Sequence, residues 1–232
     1  MIRNVDEIPL TGGWVTQGVV RVGDTVRRPL PPRWSFVHRF LAYLERAGFR
    51  GAPRLLGVDE QGRESLTYVA GVAPSKVGVL TDDELRSAAG LLRELHDCAA
   101  RAPDDLREGH GIVIHGDAGP WNMIWREHRA VALIDFDEAR PGERLEELGY
   151  FAWKGLQLKP TELSVEEQAR RLRVVCEAYC VPLDEDLLDA IDGAYEWLAS
   201  KGLREGWPDE AIAAVASERT WFRQARPTLR RA

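Results

Sequence analysis

One loop offers an aspartate and an asparagine five positions apart, and a second aspartate follows one hairpin later. No other feature restricts this chain as much. The loop reads His115-Gly116-Asp117-Ala118-Gly119-Pro120-Trp121-Asn122, and the later segment reads Ile134-Asp135-Phe136-Asp137. Ile112-Val113-Ile114 ahead of the loop is a short apolar run of the kind that forms a buried strand. Met123-Ile124-Trp125 and Val131-Ala132-Leu133-Ile134 form a hairpin pattern around the charged turn Arg126-Glu127-His128-Arg129. Phosphoryl transfer asks for such a set. A carboxylate must orient a hydroxyl and accept its proton, while hard oxygen donors hold Mg²⁺ against a polyphosphate. Asp-x4-Asn alone specifies little; the strand and His-Gly before it, and Ile-Asp-Phe-Asp after it, give it meaning.

The rest of the chain frames this loop. Residues 8 to 30 are rich in Gly, Val and Thr and predict two short strands, with turns at Gly12-Gly13 and Gly23-Asp24. Pro29, Pro31 and Pro32 end the second strand, because proline cannot donate to a sheet ladder. Helical spacing of Phe36 or Val37, Phe40, Leu41 and Leu44 predicts a helix over 34–47, stopped at Gly48. Two further strands are expected at 54–58 and 65–69, and the loose stretch through Gly71, Pro74 and Gly78 sets a boundary between regions 1–70 and 71–232. Thr81 and Glu84 form a capping box before the apolar stripe Leu85, Ala88, Ala89, Leu92 and Leu95. After Tyr150 the pattern is helical throughout. Ser164 with Glu167 predicts a second capping box, a helix through Leu187 and Leu198 ends near Gly202, and Trp207-Pro208 opens the last helix.

Composition narrows the function classes. A formal charge of −6 argues against a general nucleic-acid binder. Three cysteines (Cys98, Cys176 and Cys180) without framework spacing imply reduced thiols and a cytoplasmic setting. The N-terminus has no apolar signal core and no apolar run could span a bilayer, so no membrane attachment is expected.

The His-Gly-Asp-x4-Asn loop and the Ile-Asp-Phe motif resemble those of the aminoglycoside phosphotransferase and choline kinase family. Leu91-Leu92-Arg93-Glu94-Leu95-His96 is similar to that family's helix before the catalytic loop. Ala139-Arg140-Pro141-Gly142 and Glu147-Leu148-Gly149-Tyr150 are similar to the segment that follows its metal motif. The resemblance implies an α+β, protein-kinase-like two-lobe fold: a small antiparallel N-terminal lobe for the nucleotide and a mainly helical C-terminal lobe. It implies ATP or GTP with Mg²⁺, Asp117 as base, Asn122 and Asp135 as metal ligands, and a small-molecule hydroxyl as acceptor. Asp137 assists the metal or structures the loop, and His115 buttresses the loop. Trp121 and Trp125 are read as packing residues.

The N-terminal lobe departs from the pattern. The strand Asp24-Thr25-Val26-Arg27-Arg28 has no lysine for the phosphates, and Arg28 is the expected substitute. The helix position that should supply a glutamate partner falls near Val37 or His38. Gly13 lies in the expected phosphate-covering loop, and Thr67 and Val69 in the linker expected to meet the adenine edge. Acidic residues near the helices (Glu146, Glu147, Asp184, Glu185, Asp186 and Asp189) would suit a cationic acceptor. The alternative reading is a catalytically weak or inactive nucleotide-binding protein on this scaffold, acting in trifolitoxin-type peptide-antibiotic immunity. A protein kinase fits less well, because no Ala-Pro-Glu motif is present.

Overall fold

The computed structural model describes residues 6–10, 18–109 and 111–231 of the chain; Gly13 and most of the expected phosphate-covering loop lie outside them. The first part is built from β1 (Glu7–Pro9), β2 (Val20–Val22), β3 (Thr25–Pro29), α1 (Trp34–Arg46), β4 (Leu55–Val58) and β5 (Arg63–Thr67). The strands form one antiparallel sheet in the order β1-β2-β3-β5-β4. Gly23 turns the chain between β2 and β3 with φ +60°, a conformation that costs glycine nothing. The last strand starts two residues before its predicted position, for a local reason. The Asp59 carboxylate accepts from the Gln61 and Arg63 amides at 3.0 and 2.9 Å, folding a tight turn that begins pairing at Arg63. Helix α1 buries Phe36, Val37, Phe40, Leu41 and Leu44 beneath the sheet, as its spacing predicts.

Helices dominate the remainder. α2 (Asp82–Ala99) starts with the predicted box: Glu84 N donates to Thr81 Oγ1 at 3.3 Å, and Thr81 N donates to Glu84 Oε2 at 2.7 Å. After the short α3 (Asp104–Arg107), β6 (Ile112–Ile114) pairs with β9 (Arg140–Gly142), and β7 (Met123–Arg126) with β8 (Arg129–Leu133). The two-residue turn Glu127-His128 has left-handed φ at both positions, which matches the twist of a hairpin. Then come α4 (Arg144–Leu156), α5 (Val165–Tyr179), α6 (Glu185–Glu205) and α7 (Asp209–Arg231).

Three expectations change here. The helical region opens at Arg144, so Tyr150 sits in mid-helix rather than before it. The next helix runs through Gly202 and stops at Gly206, whose φ of +70° gives the usual left-handed cap. Only half of the box at Ser164 forms: Glu167 N donates to Ser164 Oγ at 3.2 Å, but the Glu167 carboxylate turns to Arg170 at 2.8 Å. A charge-assisted pair outcompetes a neutral amide for that carboxylate.

Trp153, Tyr195 and Phe222 stack in series, with centroids 4.0 and 5.5 Å apart, and pin α4, α6 and α7 together. Cys98, Cys176 and Cys180 are free thiols. No described helix is long and apolar enough to cross a membrane.

Candidate active site

Strand β6 delivers His115, Gly116 and Asp117 to the mouth of a cleft between the sheet and the helices. Gly116 has φ +84°, and a Cβ there would lie 2.2 Å from the Glu138 carbonyl oxygen, so only glycine fits. His115 is fully buried. Its Nδ1 accepts from the Asp117 amide at 3.3 Å, which leaves Nε2 to donate to the Ile134 carbonyl at 2.9 Å. The histidine thus ties the Asp117 loop to the Asp135 strand, the buttressing arrangement expected of it. Its ring also lies 4.5 Å from that of Phe136, which in turn meets Phe40 of α1 at 6.1 Å.

Below the loop sits a buried carboxylate that sequence reading placed among the acceptor candidates. Glu147 of α4 accepts from the His115 and Gly116 amides at 2.8 and 2.5 Å and pairs with His96 Nε2 at 2.8 Å. His96 Nδ1 reaches the Tyr179 hydroxyl at 2.5 Å. Burial alone would push the Glu147 carboxyl up. The hydrogen bonds from His96 and from the His115 amide outweigh burial and hold it below the usual range. Glu147 therefore fixes the backbone of the Asp117 loop.

Asp117 is held on both oxygens. The Tyr150 hydroxyl donates to Oδ1 at 2.6 Å, while Asn122 Nδ2 and Trp121 Nε1 donate to Oδ2 at 2.8 and 3.3 Å. Trp121 is thus more than packing; Trp125, whose Nε1 donates to the Pro120 carbonyl at 3.0 Å, braces the loop. Burial raises the Asp117 pKa above its usual value, although the Tyr150 and Trp121 hydrogen bonds pull it down. Asn122 also donates to the Asp117 carbonyl at 2.9 Å. Its amide nitrogen is therefore committed, and its oxygen is the atom left for a cation. Asp135 adopts a left-handed backbone, φ 65° and ψ 62°. A non-glycine residue there costs about 1–3 kcal/mol, and aspartate is among the residues that tolerate it best.

The sheet contributes Arg28. Its side chain is buried and pairs with Glu64, Asp137 and Asp135, the last through Nη1 at 2.8 Å. Arg27 points to the other face and pairs with Asp59 at 3.2 Å, as strand alternation requires. Burial alone would weaken the Arg28 charge, but the carboxylates of Asp137, Asp135 and Glu64 more than offset it and raise its pKa. Burial pushes the Asp137 carboxyl up to about 6, against the pull of Arg28. The glutamate that α1 lacks is supplied by β5. Glu64 lies directly across from Arg28 in the strand register, and its other oxygen meets His38 Nε2 of α1 at 2.8 Å. The histidine on the helix and the glutamate on the strand form a relayed version of the expected pair. Sequence reading missed Glu64; the signal was its place opposite Arg28 once the strands are registered.

Arg28, Asp117, Trp121, Asn122 and Asp135 line one cavity of about 860 Å³. Val26, Leu66, Thr67 and Val69 line its sheet end, and Arg28, Asp117, Asn122 and Asp135 its middle. Thr67 is partly committed: its amide donates to the Arg54 carbonyl at 2.9 Å, and its Oγ1 accepts from the Arg54 amide at 2.8 Å. Lys154, Gln157, Lys159 and Glu218 line the far end. None of the acidic acceptor candidates lines this cavity. Asp184 caps α6, Glu185 and Asp189 pair with Arg226, and Glu146 pairs with Arg140 at 2.5 Å. Among the described residues no three His, Cys, Asp or Glu side chains cluster as a metal site. A cation here would draw on Asn122, Asp135 and phosphate oxygens, a hard donor set suited to Mg²⁺.

An antiparallel sheet beside a helical region, with the Asp117 loop and an acidic hairpin between them, defines the kinase-like phosphotransferase fold. Comparisons with known proteins agree. The model of the "Phosphotransferase enzyme family" matches residues 80–197. The trifolitoxin immunity protein of Rhizobium leguminosarum bv. trifolii is 31% identical over 258 aligned residues, covering 97% of each chain. The chain belongs to this phosphotransferase family. Among solved structures, the macrolide 2'-phosphotransferase MphH of Brachybacterium faecium superposes with a TM-score of 0.58 at 17% identity, over 85% of this chain and 87% of that one. The gentamicin complex of APH(2")-IIa gives 0.58 at 15% identity, over 93% and 91%. A choline/ethanolamine kinase family protein of Mesorhizobium loti gives 0.54 at 17% identity, over 94% and 88%.

Proposed function

We propose that the chain is a cytoplasmic phosphotransferase that moves the γ-phosphoryl group of ATP or GTP to the hydroxyl of a small molecule. One observation carries this reading: Asp117, Asn122, Asp135 and Arg28 meet in a single cavity whose ends are a sheet pocket and a helical pocket. We divide the chain at 70/71, with the nucleotide on the sheet side and the acceptor on the helical side. The linker at Thr67 and Val69 meets the base edge. Asn122 and Asp135 would hold Mg²⁺, which would supply neutralisation of phosphate charge, while Arg28 offers a cation to the phosphates. Asp117 orients the acceptor hydroxyl and takes its proton, with one oxygen steadied by Asn122 and Trp121 and the other by Tyr150. Charge stabilisation and positioning then supply most of the rate.

A second reading has its own support in the similarity to the trifolitoxin immunity protein, which extends over nearly the whole chain. In it, the same cleft binds nucleotide and confers immunity with little or no transfer. Incubation with Mg²⁺ and γ-labelled ATP, over a panel of hydroxyl compounds, separates the two. Label appearing in any alcohol supports transfer. Nucleotide binding without label in any compound or in free phosphate supports the second reading.

A further inference from the structure

The helical end of the cleft is lined by two lysines, Lys154 and Lys159, and one carboxylate, Glu218. Lys154 of α4 reaches into the cavity with its ammonium 3.5 Å from the centre of the Trp153 ring and 6.0 Å from that of Tyr150. Tyr150 is the residue whose hydroxyl touches Asp117, so this ammonium stands on the acceptor side of the base. Among the described residues Lys154 forms no ion pair with a carboxylate; the aromatic faces are what hold it. Lys159 is paired with Glu218 at 3.6 Å, and Glu218 also accepts from Trp153 Nε1 at 3.0 Å. Glu218 is thus taken up by Lys159 and Trp153, and Lys154 is the ammonium at this end with no carboxylate in contact, although Glu218 and Asp117 act on it from a distance. A half-buried cation of this kind has no carboxylate in contact until a ligand brings one.

Building on the phosphotransferase reading, we infer that the acceptor is a hydroxy acid whose carboxylate pairs with Lys154 while its hydroxyl faces Asp117. A single positive charge matches a monoanion better than a second phosphate group, which would also repel the incoming phosphoryl group. Gln157, whose Nε2 donates to the Gly78 and Val77 carbonyls at 3.0 and 3.4 Å, borders this end, and Trp121 with Val72 supplies apolar wall for the body of the molecule. The state of Lys154 agrees. Burial lowers its pKa to about 8 although the charges of Glu218 and Asp117 hold it up, and a carboxylate binding beside it would raise it further.

Three benzyl alcohols that differ at one end test the inference: 4-(hydroxymethyl)benzoate, 1,4-benzenedimethanol and 4-(aminomethyl)benzyl alcohol. Each is titrated into the full chain, with the quenching of tryptophan fluorescence as readout, in the wild type and in Lys154→Met. The carboxylate is expected to bind about ten-fold tighter than the other two, and Lys154→Met to remove that preference. Equal binding of the three, tighter binding of the amine, a preference that survives Lys154→Met, or no carboxylate binding at ~10 mM overturns the inference. The response of the wild type to Mg²⁺-ATP alone tests the phosphotransferase reading separately, since it needs no acceptor.

Discussion

The two walls of the cleft hold their charged residues by different means. On the helical wall, Asp117 and Asn122 come from one loop, and the carboxylate of Glu147 grips that loop by two backbone amides. On the sheet wall, Arg28 is held by side chains alone, from β5 and from the segment after β8. A backbone-anchored loop keeps its geometry whether or not a ligand is present. An arginine shared among three carboxylates can trade one of them for a phosphate. The helical wall is thus the fixed part of the site, and the sheet wall the part whose pairing a nucleotide should rearrange.

The largest effect should come from the fixed wall. Asp117→Asn keeps the shape of the loop but removes the proton acceptor, so transfer should fall by about 10²–10⁴-fold. Mg²⁺-nucleotide affinity should stay within a factor of about three, the line between base and ligand. Steady-state rates and calorimetric titration of one preparation check both halves. A variant that still turned over at the wild-type rate would remove Asp117 from the mechanism.

Glu147→Gln probes the anchoring itself. Breaking a buried pair of this kind costs about 3–5 kcal/mol, or a melting point lower by roughly 10 °C for a chain of this size. The pH dependence has a definite sign. The folded Glu147 pKa lies below the usual 4.5, so its stabilisation is complete above that value and is lost as pH falls through the folded pKa. Denaturant midpoints of wild type and variant should therefore converge in acid and diverge above it. A constant gap across that range would contradict the assigned network.

The sheet wall allows a subtler test. Glu64→Gln should weaken Mg²⁺-nucleotide binding by about ten-fold, because Arg28 loses the partner that aims it. Adding His38→Glu in that background returns a carboxylate from the helix and should recover part of the loss, a coupling of about 0.5–3 kcal/mol. Purely additive losses would mean that Glu64 and His38 do not act on Arg28 together. Smaller still is the effect of Tyr150→Phe. Asp117 must be ionised to act, and the Tyr150 hydrogen bond opposes the rise that burial imposes. Without it, the acid limb of kcat/KM should move to higher pH, with the alkaline side unchanged.

The same contrast explains what could be read before the structure. Asp117, Asn122 and Asp135 were legible because loop and hairpin are local, and Gly116 marks the one backbone angle that only glycine accepts there. The capping box of α2 and the apolar faces of α1 and α2 were legible for the same reason. Glu64 was not, because its role depends on pairing with Arg28 across a strand register shifted by the Asp59 turn. Glu147 read as an acid on the acceptor side, because only the start of α4 at Arg144 turns that residue beneath the loop. Lys154 and Glu218 needed the packing of α7 on α4, which no spacing encodes.

Thermal unfolding of wild type and Asp135→Ala, each with and without Mg²⁺-ATP, tests the central claim most directly. At about a hundred times Kd, binding adds ~2.7 kcal/mol of stability. That should raise the wild-type melting point by roughly 5–10 °C and leave Asp135→Ala unmoved. A wild type that does not respond to saturating nucleotide, or an Asp135→Ala that responds equally, would contradict the account.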